Sequence, residues 1–174
     1  MLAAWLVLSP VYGACIDVYP ESRVTESLSE YQACDLPKMR AGYAGILREQ
    51  VRLLVLLTPA YERQVNEATA DSDKRQQLLG KFSKTLDELS AFATALDTAP
   101  PVAADGLVPS GAGPGPAHGH AFRKGLKKAR KSSHALKSRL AEDALRDEEE
   151  QNYCTLDFLV RVGEKLNKAM RECP

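Results

Sequence analysis

The sequence predicts an all-α protein: a disulfide-stapled bundle of four to five helices with one long Pro/Gly-rich connection. Three observations predict it. The 174 residues are 44% hydrophobic and 26% charged but only 6% aromatic. Leu, Ala, Lys, Arg and Glu dominate, a mixture that favours helix over strand. Apolar residues recur at steps of three and four over several long stretches, which is the period of one helical face. The chain also holds four cysteines, an even number, behind an uncharged apolar N-terminus, the usual setting for disulfides.

Residues 1–14, MLAAWLVLSPVYGA, carry no charge. The run from Leu2 to Leu8 is apolar, Pro10 breaks it, and Gly13 and Ala14 precede Cys15. That is the pattern of a signal-peptide core and cleavage region, without the usual positive start. The stretch is shorter than the roughly 20 residues a membrane-spanning helix needs. The expectation is export, with a single helical domain over 15–174 in the periplasm or outside the cell. An alternative is a lipid on Cys15, as in a bacterial lipoprotein, which would anchor the chain to a membrane. Small residues before Cys15 suit that fate; Tyr12 does not.

A first helix is expected over about 21–34, with Val24, Leu28 and Tyr31 on one face. Asp35 and Pro37 then suit the start of a second helix. Its stripe is Tyr43, Leu47, Val51, Leu54, Tyr61 and Val65. The apolar block Leu53 to Leu57 makes it the most buried helix, and Pro59 should kink or split it near Thr58. Asp71, Ser72 and Asp73 provide caps and negative charge for a third helix. There Leu79, Phe82, Leu86, Leu89, Ala93 and Leu96 form a packing seam.

Residues 98–117 contain five prolines and four glycines and predict a solvated linker inside the domain. Beyond it, Leu126, Ala129, Ser133, Leu136, Leu140 and Ala144 form one stripe. Leu156, Leu159, Val162 or Gly163, Leu166 and Met170 form another. A single helix over 120–172 would extend about 75 Å, so a compact domain calls for a turn. The expected turn lies near 148–152, with Asn152 as the cap of the last helix.

The cysteines are Cys15, Cys34, Cys154 and Cys173. A helix between the last two would separate them by about 28 Å, whereas a disulfide needs Cα atoms within about 7 Å. Cys154–Cys173 is thereby excluded, and Cys15–Cys34 with it. Two schemes remain. Position numbers in Cys15–Cys173 and Cys34–Cys154 have the same sum, as two antiparallel segments require, and this is the expected pairing. No close Cys-x₂-Cys ligand pair exists, so no metal site is expected.

Nothing in the chain has the spacing of a known catalytic device. There is no Gly-x-Ser-x-Gly turn, phosphate-cradling glycine loop, Cys-x-x-Cys or haem-attachment motif. His118 and His120 end the linker, His134 follows, and they read as solvated side chains. No cofactor is expected, and the chain is read as non-enzymatic. The expected function is binding a protein partner in the periplasm, cell envelope or extracellular space. An enzyme with an unrecognised site is the weaker alternative.

One stretch invites a second alternative. Between 123 and 139 stand Arg123, Lys124, Lys127, Lys128, Arg130, Lys131, Lys137 and Arg139, with no acid. The first six are the candidate binding residues, for a polyanion or an anionic surface. Interleaved aromatics are missing apart from Phe122, so sequence-specific or single-stranded nucleic acid is not expected. Against a binding role stands internal compensation. Glu142, Asp143 and Asp147 to Glu150 follow directly, and Arg139–Asp143 and Arg146–Glu150 have helical pair spacing. In a hairpin the basic run would also face acids elsewhere. The formal net charge is zero, so any attraction must be local.

Overall fold

The computed structural model describes residues 14–31, 33–98 and 120–173. They form six α-helices: α1 (Ala14–Val18), α2 (Glu21–Leu28), α3 (Leu36–Ala68), α4 (Ser72–Thr98), α5 (His120–Lys137) and α6 (Asp147–Glu172). Two 3-10 turns, at 29–31 and 142–144, complete the path, and no strand occurs among the described residues. The protein is all-α. The expected leader falls almost wholly outside these residues, and so does the 98–117 linker apart from Thr98, the last residue of α4.

Helices α3 to α6 make a four-helix bundle in which each packs on the next and α6 closes back on α3. Cross-helix contacts give the directions. Tyr43 meets Asn167 and Gln50 meets Leu159, while Arg63 meets Glu149, so α3 and α6 are antiparallel. Tyr61 stacks on Phe82 and Arg48 pairs with Asp97, so α3 and α4 are antiparallel. Gly125 lies against Phe92 and Lys128 reaches Glu88, while Leu126 meets Asn167 and Lys137 meets Asp157, so α5 is antiparallel to both neighbours. The core holds Met39, Tyr43, Leu47, Leu53, Leu54, Leu57, Phe82, Leu89, Leu126, Leu136, Leu156 and Leu166, all fully buried.

The expected caps at Asp35 and Asp71 form. Asp35 Oδ1 accepts from Lys38 N–H at 3.2 Å, and Asp71 Oδ1 accepts from Asp73 and Lys74 N–H at 2.9 and 3.2 Å. Within the α4 seam, Phe82, Leu89, Ala93 and Leu96 are buried, while Leu79 and Leu86 sit half-buried at its margin.

Four expectations are corrected. The first helix stops at Leu28 and continues only as the 3-10 turn to Tyr31. Of the two outcomes expected at Pro59, a kink or a split, the split does not occur: α3 runs unbroken through it. Proline at 59 deprives the Val55 carbonyl of its helical donor. Val55 is 54% exposed, so water can take that bond at no burial cost. The third correction is the turn of the second hairpin, which lies at 138–146 instead of 148–152. Asn152 is inside α6 and caps nothing. The N-cap is Arg146, whose N–H donates to Glu149 Oε2 at 3.0 Å. The run Asp147 to Glu150 is therefore the first turn of α6, where carboxylates meet the positive end of the helix dipole. Gln64 holds the turn from α3, donating to the Ala141 carbonyl at 3.0 Å and accepting from Ala141 N–H at 2.9 Å.

The fourth correction is the disulfide pairing. Cys15 bonds Cys154 and Cys34 bonds Cys173, with Cα separations of 4.8 and 5.7 Å. Both pairs span 139 positions, and a constant difference is the mark of parallel segments. Tyr19 stacking on Phe158 keeps the same register, and Lys165 and Arg161 reach Glu21. The N-terminal segment thus runs parallel to α6. The reason lies in α3. Its N-terminal end packs on the C-terminal end of α6, and Cys34 stands two residues before α3 begins. Cys34 is therefore delivered to Cys173, turning there through a left-handed φ of 51°. The Cys15 sulfur, bonded to Cys154, is the atom a lipid anchor would need, so the two fates exclude each other.

Candidate functional site

The basic run becomes the helix α5, and its placement sorts the cations. At 100° per residue, Arg123, Lys124, Lys127 and Lys131 fall within roughly 100° of the circumference. Leu126, Ala129, Ser133 and Leu136 fall roughly opposite and are buried. Three contacts hold α5 in this rotation. Ser133 Oγ donates to Gln50 Oε1 at 2.8 Å, and Asn167 Nδ2 donates to the Leu126 carbonyl at 2.8 Å. Gly125 lies so close to the Phe92 ring that a Cβ there would stand 2.6 Å from Cε2.

The flanks of α5 are neutralised by its neighbours. On the α4 side, Lys128 Nζ lies 3.1 Å from Glu88. On the α6 side, Arg130 and His134 both meet Glu164, at 3.3 and 3.2 Å, and Lys137 pairs with Asp157. Between these flanks, Arg123, Lys124, Lys127 and Lys131 are exposed. Among the described residues, none of these four has an ion-pair partner. The six expected binding residues are thus divided: four form an outward crest, and Lys128 and Arg130 belong to the bundle's own ion pairs. The expected pairs Arg139–Asp143 and Arg146–Glu150 are not among the ion pairs of the described residues. Compensation comes across helices instead. Phe122 is half-buried, with the Arg40 guanidinium 5.2 Å from its ring centre.

A second place has the shape of a site. A cavity of about 430 Å³ beside the first disulfide is lined by Cys15, Glu21, Lys137, Glu142, Asp157 and Arg161, among others. Most of its charges satisfy one another: Asp157 takes both Lys137 and Arg161, and Arg161 also reaches Glu21. Glu142 is the exception, its pKa raised by burial and by the nearby Asp157. Tyr153, on the same wall, is pushed up to about 12, again chiefly by burial. Burial and a like charge account for both shifts without a reacting group.

His118 lies outside the described residues, and His120 is exposed at the start of α5. Among the described residues no three His, Cys, Asp or Glu side chains are grouped to hold a metal ion. No described helix is long and apolar enough to cross a membrane. Compared with models of protein families, with curated proteins and with solved structures, the chain matches none.

Sequence alone could list the cations of α5 but not divide them. The dividing acids, Glu88, Asp157 and Glu164, sit on other helices, and no local spacing signals them.

Proposed function

We propose that this is an exported, non-enzymatic binding protein that holds a negatively charged partner along the crest of α5. The observation that carries the reading is the crest itself: four exposed cations on one face, with no ion-pair partner among the described residues, between flanks that are paired. The two disulfides support an oxidising compartment such as the periplasm or the extracellular space, and the signal-peptide-like leader fits the same destination. A protein partner with an acidic face and a polyanion both belong to the class this surface serves.

The zero net charge makes a direct test available. Without a local patch, such a protein is not retained by a sulfonate cation exchanger at neutral pH. The wild-type protein should be retained at low salt and released as salt screens the attraction. Lys124→Glu/Lys127→Glu/Lys131→Glu should pass through unretained, and Lys128→Glu should lose less. A wild-type protein that passes straight through would end this reading.

A further inference from the structure

We propose that the α5 crest is a site for a linear acidic polysaccharide, one extended chain carrying sulfate or carboxylate groups. This rests on the reading of α5 as a surface for anionic partners and names the ligand class for it. Three features of the site select that class.

The first is shape. Arg123, Lys127 and Lys131 follow one another at four-residue steps, about 6 Å apart along the axis, so the row is about 12 Å long. Lys124 stands beside its first member. The crest is a convex ridge, and a ridge with charges in a row suits a chain laid along it, not a compact anion that needs enclosure.

The second is width. Glu88 borders the crest on one side and Glu164 on the other. These carboxylates answer the flanking cations and leave a strip one helix face wide. A narrow chain meets cations alone. A flat anionic membrane would also press against the acid-bearing flanks. It would further want an apolar helix face to sink into the headgroup region, and the apolar face of α5 is spent on the bundle.

The third is chemistry. Among the described residues, the crest has no exposed apolar or aromatic anchor. Protein interfaces draw most of their energy from such anchors in desolvated pockets. Among the described residues, the large exposed apolar side chains are Ile16, Val18, Val55 and Leu56, on α1 and α3. Single-stranded nucleic acid asks for free aromatic faces to stack on, and Phe122 lies half-buried beneath Arg40. What remains is attraction to repeated charge, driven by release of counterions from the polymer. A linear acidic polysaccharide meets that description: repeated charge on a narrow, extended chain.

The test uses heparin oligosaccharides, poly-aspartate and phosphatidylserine-containing vesicles as probes, with the oxidised full chain. Heparin should bind, and with four contacts log K should fall against log salt with a slope of about −3. Lys127→Gln/Lys131→Gln should flatten the slope by about 1.5 units, with its thermal midpoint unchanged because both side chains are exposed. Lys128→Gln should flatten it less. Binding of poly-aspartate or vesicles but not heparin, lost in the double variant, would overturn the polysaccharide assignment and leave the α5 reading standing. Equal heparin binding by wild type and double variant would overturn both, as would no binding to any probe.

Discussion

Gln50 offers the sharpest test of the bundle that presents α5. It lies in the middle of α3, only 1% exposed, and joins three helices. Its Nε2 donates to the Leu159 carbonyl of α6 at 2.9 Å, and its Oε1 accepts from Ser133 Oγ of α5 at 2.8 Å. The Leu159 carbonyl also serves its own helix, so losing Gln50 strands nothing there. Ser133 differs: it is buried and its hydroxyl would be left without an acceptor. Each lost bond is worth about 1 kcal/mol and a stranded buried hydroxyl about 1–3 kcal/mol. With the space vacated added, Gln50→Ala should cost about 3–5 kcal/mol. Ser133→Ala should cost about 1–3 kcal/mol, because it leaves Gln50 Oε1 without a donor. The double variant should cost less than the sum, with a coupling of about 1–2 kcal/mol. Urea unfolding of the oxidised protein, with unchanged m-values, measures all three. A Ser133→Ala cost under about 0.5 kcal/mol together with strict additivity would refute the three-helix node.

Three further outcomes are expected. Non-reducing peptide mapping should recover Cys15–Cys154 and Cys34–Cys173. With one bridge present the other closes an effective loop of about 38 residues, so removing either should cost about 4 kcal/mol in the chain-entropy model. In the α4 seam, Leu89→Ala should cost about 2–5 kcal/mol and Lys84→Ala under about 0.5 kcal/mol, read by thermal or urea unfolding. Acid should destabilise the protein partly through Glu149, whose pKa is held below its ordinary 4.5 first by its bond with Arg63. A depressed carboxylate contributes stability above its unfolded pKa and loses it as pH falls through the folded value. Urea midpoints should therefore fall below pH 4.5 in wild type and fall less steeply in Glu149→Gln.

Local physics was legible in the residues before any fold was known. The helical spacing of Phe82, Leu89, Ala93 and Leu96, in steps of seven, four and three, decides which face of α4 is buried, because those residues share a side whatever lies opposite. Asp35 and Asp71 cap helices because a carboxylate two or three residues from a free N–H needs no distant partner. Helical rise alone rules out Cys154–Cys173. Other choices needed the tertiary structure, because their causes lie far along the chain. The even spacing of the cysteines fits a parallel segment by difference and an antiparallel one by sum. Only the antiparallel packing of α3 on α6, which brings Cys34 to Cys173, chooses between them. The stripe through Leu136, Leu140 and Ala144 continues across the true break, so periodicity hid it. Leu140 stays buried after its helix has ended, where Gln64 of α3 holds the turn. Of the cations of α5, only the folded bundle shows which are spoken for, since Glu88, Asp157 and Glu164 reach them from helices 20 to 40 residues away in sequence.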